Sequence, residues 1–149
     1  MEQKINELLE SGIDIYLHVL KDFEQFASRA TKEIGITFDQ YLVMRDLHQR
    51  NNSAISSEIA KKRGITQGAI TRQIKVLLAK GYITQERDVK DSRRQLLHLT
   101  DAGKKAEKKG DKAVTERFNE WVSIIGEDKT RQAFQILLEF GNKIVQKGN

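Results

Sequence analysis

Between Thr66 and Lys80 the chain reads TQGAITRQIKVLLAK, with Ile70, Ile74 and Leu77 recurring at helical spacing as one apolar stripe. The side chains left outside that stripe, toward the start of the helix, are Gln67, Gly68, Thr71, Arg72 and Lys75, with Thr66 and Ala69 in the same first turn. Amide, hydroxyl and cationic groups without a single acid suit the major groove of a duplex. Gln pairs with adenine edges, Arg with guanine and Thr with base or phosphate, while Gly68 permits close approach. An ordinary solvated face would mix in Asp or Glu. A second cationic set, Lys90, Arg93 and Arg94, lies on a charged loop between two stretches of two-residue alternation. A guanidinium on a thin loop can enter a minor groove, where narrow A·T-rich stretches concentrate negative potential. Asp91, two residues before Arg93, is placed to accept its hydrogen bond and hold the fork in one orientation.

The charge distribution supports the same chemistry. The 149 residues carry a net charge of +5, from 26 Lys and Arg against 21 Asp and Glu. Residues 53–100 hold ten of the bases and only four acids (Glu58, Glu86, Asp88 and Asp91), leaving 16 bases and 17 acids elsewhere. All of the positive excess therefore sits in the central third, as in a polyanion-binding module with near-neutral flanks.

Other chemistry finds little support. The chain has no cysteine, which excludes disulfides, thiol catalysis, thiol-based oxidant sensing and cysteine-ligated metal. His18, His48 and His98 are too widely separated for a short-spaced metal motif, which leaves only a site assembled in space from His18 and His48 with carboxylates. His98 alternates with Leu97 and Leu99 and is expected to face solvent or nucleic acid. No glycine-rich phosphate loop and no Ser, His and acid set on a recognisable turn is present, so neither an enzyme nor a bound cofactor or metal is expected. No apolar run approaches the roughly 18 residues of a membrane span, and MEQKINELLESG lacks a signal-peptide layout. A cytoplasmic protein is the expectation.

The elements that must position these residues follow from periodicity and punctuation. Leu9, Ile13, Tyr16, Leu20, Phe23, Ala27, Ala30 and Ile34 predict one long amphipathic helix with a coiled-coil-like seam, weakened but not ended by Gly12. Such a seam needs another long helix, from this chain or a second copy. Gly35 stops it, and Thr37 with Gln40 forms a capping box for a helix to about His48. Ser53 or Ser56 caps a short helix with Ile59 and Ala60 inward, ended by Gly64. Thr66 then caps the helix described above, which Gly81 closes. YITQERDV and QLLHLT form a hairpin. Asp101 opens a long charged helix with Val114, Phe118, Trp121 and Ile125 on one side. After Gly126 a last helix turns Phe134, Leu137, Leu138, Ile144 and Val145 inward. The expected fold is mainly α with a small β-hairpin: a winged helix-turn-helix over 35–100, between long dimerisation helices at 1–34 and 101–149.

Three stretches, ITFDQYLVMRDL, SSEIAKKRGITQGAITRQIKVLLAKGYI and DVKDSRRQLLHLTDAGKK, together resemble the MarR family of bacterial transcriptional regulators. The most specific parts are Asp91-x-Arg93, Leu99-Thr100-x-x-Gly103 and the G-x-x-x-G-A-I-T-R segment from Gly64. The resemblance implies a homodimer built from the terminal helices, with one winged helix per subunit on a pseudo-palindromic operator. Residues 66–80 would read the major groove and Arg93 the neighbouring minor groove. It further implies a repressor released by a small aromatic or amphipathic effector; Tyr16, Phe23, Phe118 and Trp121 either line its pocket or, the better reading, form the dimer core, and Met44 and His48 are the other candidate pocket residues. Two positions depart from the family pattern. Arg87 stands where proline is common and Gln85 where arginine is frequent, so the wing lacks a rigid turn and one phosphate contact. The alternative is a winged-helix interaction module whose basic face takes an acidic protein partner.

Overall fold

The computed structural model describes residues 1–145 and divides into two units, one of residues 1–114 and one beginning at Thr115. In the first unit the chain is helical from α1 (Glu2–Asp14) through a π turn (Ile15–Val19) into α2 (Leu20–Lys32), passing Gly12 without a break. The π turn was not expected. It takes in an extra residue, so apolar positions after it are rotated relative to those before it, and Ile15, Leu17 and Val19 join Leu9, Ile13 and Leu20 as exposed apolar side chains. The seam becomes buried within the chain only at its end, at Ala30, beyond which Ile34 packs against the core. Gly35, at φ +73°, closes the segment in the left-handed conformation that favours glycine.

Helix α3 (Phe38–Gln49) begins on the expected capping box, in which the Gln40 N–H donates to Thr37 Oγ1 and the Thr37 N–H to Gln40 Oε1, both at 3.1 Å. Neither Ser53 nor Ser56 caps the next helix. Ala54–Ile55 forms a short strand β1, Ile55 becomes the N-cap of α4 (Ser56–Arg63), and the Glu58 carboxylate accepts from the Ile55 N–H at 3.3 Å. Two residues are too few to display an alternation, so the strand leaves no periodic signal. Helix α5 (Gln67–Ala79) is capped by Thr66, whose Oγ1 accepts from the Ala69 N–H at 3.1 Å, and buries Ile70, Ile74 and Leu77.

The hairpin strands β2 (Ile83–Arg87) and β3 (Gln95–Leu99) pair antiparallel from Ile83 with Leu99 to Arg87 with Gln95. On the other edge of β3, Ala54 faces Leu97 and Ile55 faces Leu96, giving the sheet order β1-β3-β2 rather than a lone hairpin. The core lies between this sheet and α3, α4 and α5, around Met44, Leu47, Ile59, Ile70, Leu77 and Leu97.

Helix α6 (Asp101–Ile125) starts on Thr100, whose Oγ1 accepts from the Gly103 N–H at 3.0 Å. Tyr41 of α3 reaches it by donating to Asp111 Oδ1 at 2.8 Å, with Arg45 also on Asp111. Burial, and then donation to Asp111, push the Tyr41 phenol up to about 12. The second unit holds the end of α6, then α7 (Glu127–Phe140) and a π turn (Gly141–Val145). Gly126 at φ +95° separates the helices, and the Phe118, Trp121 and Phe134 rings pack at centroid distances of 6.0 to 6.1 Å. Leu137, Leu138 and Ile144, expected inward, are exposed in the single chain. The Val145 side chain lies outside what is described. Among the described residues no helix is long and apolar enough to cross a membrane.

Candidate nucleic-acid interface

Internal pairing sorts the cations of the central third. Lys62 joins the buried Asp46 carboxylate, which also accepts from Arg50 Nε at 2.9 Å, and so ties α4 to α3. Arg63 Nη2 donates to Asp39 at 2.7 Å and Lys80 Nζ to the Gly35 carbonyl at 2.9 Å. Arg72 and Lys75 on α5 and Lys90 in the wing have no side-chain ion pair among the described residues and are exposed. Lys62, Arg63 and Lys80 thus tie elements of the lobe together, whereas Arg72, Lys75 and Lys90, with Lys61 and Arg87, are exposed without an ion pair among the described residues.

The start of α5 is built for contact. No acid lies in its first turn, so the positive end of the helix is unopposed. The Thr66 hydroxyl is occupied by the cap. Thr71 Oγ1 donates to the Gln67 carbonyl at 2.7 Å, which leaves its oxygen an outward acceptor. Gln67 Nε2 donates to Ser56 Oγ at 3.0 Å. A Cβ built on Gly68 would meet nothing nearer than Thr66 Oγ1 at 4.0 Å, so no internal packing demands glycine there. Ala69 is half-buried beneath this surface.

In the wing, Asp91 acts differently from expectation. Its Oδ1 accepts from the Arg93 backbone N–H at 3.0 Å, whereas Arg93 Nε is 3.7 Å away, beyond hydrogen-bond range. Asp91 shapes the loop backbone and leaves the Arg93 side chain 94% exposed. Asp88 does the same for the Lys90 N–H at 2.9 Å, and the Asp88 N–H donates to the Arg94 carbonyl at 3.1 Å. Two aspartate turns thus order a loop that has no proline, directly after the paired Arg87. Arg94 Nε stands 3.6 Å from Asp91 Oδ2. Val89, fully exposed in this loop, was not singled out by the sequence, because one apolar residue among charges carries no pattern.

His98 does not face freely outward. Its Nδ1 lies 2.7 Å from the Asn52 carbonyl and its Nε2 2.8 Å from Glu86 Oε1, joining β3 to β2 and to the loop before β1. Asn52 sits at φ +62° and uses its side-chain amide as a strand would, donating to the Leu99 carbonyl at 3.2 Å and accepting from the Leu99 N–H at 2.5 Å. Asn52→Gly keeps the backbone conformation and loses both bonds, which should cost about 1–3 kcal/mol. Asn52→Ala adds the left-handed penalty of about 1–2 kcal/mol. Urea denaturation should therefore rank wild type above Asn52→Gly above Asn52→Ala; equal midpoints for wild type and Asn52→Gly would remove the amide from this role.

The four residues assigned to an effector site are not gathered together. Met44 is 0% exposed, inside the lobe core, because its position on α3 faces α5 and the sheet. His48, one turn on, borders a cleft of about 740 Å³ together with Asn51, Asn52, Lys104 and Glu107. Its Nδ1 is 3.5 Å from the buried Glu107 carboxylate, whose pKa is raised by desolvation and pulled back by His48. Tyr16 and Phe23 stand exposed on the N-terminal helix and do not border this cleft. His18 pairs with Asp14 at 3.6 Å, away from His48, and among the described residues no three ligating side chains converge.

Residues 25–109 match the model of a family described as transcriptional regulator SarA/Rot. The transcriptional regulator AdcR of Streptococcus pneumoniae is 28% identical over 88 residues, which is 59% of this chain and 59% of that protein. Among solved structures, overoxidized AbfR bound to DNA is 25% identical, with a TM-score of 0.66 over 92% of this chain and 99% of that one. An E. coli MarR mutant in complex with operator DNA superposes with a TM-score of 0.77 at 21% identity, over 90% of this chain and 95% of that one.

Proposed function

The chain belongs to the SarA/Rot family of transcriptional regulators, related to MarR, and from that premise we propose that it binds duplex DNA as a homodimer. It is a regulator and not an enzyme. The observation that carries the DNA reading is the acid-free face of α5, with Arg72 and Lys75 exposed and without an ion pair among the described residues, alongside a wing whose Arg93 is held outward by the loop's own aspartates. Helix α5 would lie in the major groove of a pseudo-palindromic operator half-site and Arg93 in the adjoining minor groove. The DNA-bound AbfR structure, similar over nine-tenths of the chain, supports a duplex-DNA partner, and the MarR complex shares the fold.

The dimer is supported by apolar side chains exposed on both terminal segments, such as Leu9, Ile13 and Leu20 in the first unit and Leu137 and Leu138 in the second. A second copy is the partner that supplies matching helices. The protein would act in the cytoplasm as a repressor. A small aromatic or amphipathic effector in the cleft beside His48 would reach the wing through Asn52, which lines the cleft and holds Leu99. It would release DNA only by favouring a dimer with its reading heads at the wrong spacing.

An electrophoretic mobility assay with unselected duplex tests the reading. Binding is expected at low salt, falling steeply as salt rises, because each neutralised phosphate adds about −0.9 to the log–log slope. Failure to bind any duplex, with capture of an acidic protein instead, would replace DNA with a protein partner.

A further inference from the structure

The side chain that begins the reading helix does not stand alone. Ser56 opens α4 and Gln67 opens α5, eleven residues later, and their side chains meet with Gln67 Nε2 donating to Ser56 Oγ at 3.0 Å. The neighbouring hydroxyls have other bonds: Thr66 Oγ1 accepts from the Ala69 N–H, and Thr71 donates to the Gln67 main-chain carbonyl, so Ser56 is the hydroxyl that Gln67 Nε2 meets. Gly68 puts no side chain beside the amide, and Gln67 is exposed while Ser56 is half-buried. A free glutamine can turn its amide over and present either its oxygen or its nitrogen to a base edge. Here the nitrogen end is tethered toward α4.

We infer that Ser56 is a positioning residue for base recognition: by tethering the amide nitrogen it fixes Gln67 with its carbonyl oxygen as the outward acceptor. This rests on the proposal that α5 enters the major groove. In that groove adenine offers its N6 amine and cytosine its N4 amine as donors, whereas guanine presents N7 and O6 acceptors and thymine an O4 acceptor and a methyl group. The position read by Gln67 therefore favours the two amine-bearing bases. Untethered, the amide turns over and accommodates acceptor edges as well, so that discrimination falls without any change in charge.

The test is selection of bound sequences from a random duplex library with wild type, Ser56→Ala, Ser56→Thr and Gln67→Ala, alongside thermal unfolding and the salt dependence of binding. Gln67→Ala identifies the base position by losing its preference. At that position wild type should favour adenine or cytosine by about 5- to 100-fold. Ser56→Ala should reduce that preference several-fold with an unchanged salt slope, and Ser56→Thr, which keeps a hydroxyl, should restore it. An unaltered preference in Ser56→Ala, or an equal loss in Ser56→Thr, overturns the inference and leaves the DNA reading standing. Failure of the wild-type protein to bind any duplex overturns both.

Discussion

Gly103→Ala should lower stability by about 3 kcal/mol, and thermal unfolding should show it as a fall in Tm of roughly 6–12 °C. A Cβ on Gly103 would lie 1.9 Å from the Tyr82 carbonyl oxygen and 2.8 Å from its carbon. The obstruction is backbone, and the backbone is tied down. The Tyr82 oxygen accepts from the Thr100 N–H at 3.0 Å, and the Tyr82 N–H donates to the Leu77 carbonyl at 3.0 Å. Thr100 in turn donates from its hydroxyl to Gly81 at 2.6 Å and accepts from the Gly103 N–H. Making room for one methyl group therefore means parting the start of α6 from the end of α5 and the beginning of β2. A Tm within about 2 °C of wild type would show that the two segments separate easily. Gly12→Ala is the control. Nothing lies within 4 Å of its added Cβ, so this change should stabilise the helix by up to about 1 kcal/mol.

Gly103 also marks how far the sequence could be read. Its place in Leu99-Thr100-x-x-Gly103 is visible as a motif, but the reason for it is a carbonyl 21 residues away that no local pattern encodes. What was legible is what depends on neighbours along the chain: the Thr37 and Gln40 capping box, the Thr66 cap, the inward stripe of α5, and the glycines that close helices at 35, 64 and 81. The exposed face of α5 was legible for the same reason, since a helix with one side buried fixes the other.

Features that depend on pairing across the fold were not. Strand β1 exists because β3 has a second edge to fill, and it displaces the expected serine cap. His98 alternates correctly for an outward residue, yet Asn52 and Glu86 meet its two nitrogens from opposite sides. Asp91 was rightly placed in the wing, but its carboxylate serves the Arg93 N–H rather than the guanidinium, a distinction of 3.0 against 3.7 Å that spacing alone does not encode. Met44 and His48 were grouped by their nearness on one helix. Four residues apart on α3, one is sealed in the core and the other borders an open cleft.

Arg72→Ala and Arg93→Ala should each weaken operator binding, and they should do so in different ways. Arg72 projects from the second turn of α5 with no ion pair among the described residues, so its loss should cost the fold little. If it pairs with a guanine edge, Arg72→Ala costs about 1–3 kcal/mol on the preferred sequence, or roughly 5- to 150-fold in affinity, and relaxes selectivity at one base pair. Binding to unselected duplex should change far less. Equal losses on every sequence, with a shallower salt slope, would instead make it a phosphate contact. Arg93 is presented by a loop whose backbone Asp91 and Asp88 fix, with its guanidinium 3.7 Å from Asp91 and not hydrogen-bonded to it, an arrangement suited to insertion rather than to a mobile surface charge. Arg93→Ala should therefore lose most on operators with A·T-rich flanks, where the narrowed minor groove deepens the potential a guanidinium meets. A loss independent of flanking sequence would remove Arg93 from the minor groove. Asp91→Ala supplies the remaining comparison. Because it leaves the guanidinium in place and frees the loop that aims it, it should reproduce part of the flank-dependent loss even though it removes a negative charge, and the ion-pair partner of Arg93 and Arg94, from the proposed DNA-facing surface. A gain in affinity would mean that charge, and not loop geometry, dominates at the wing.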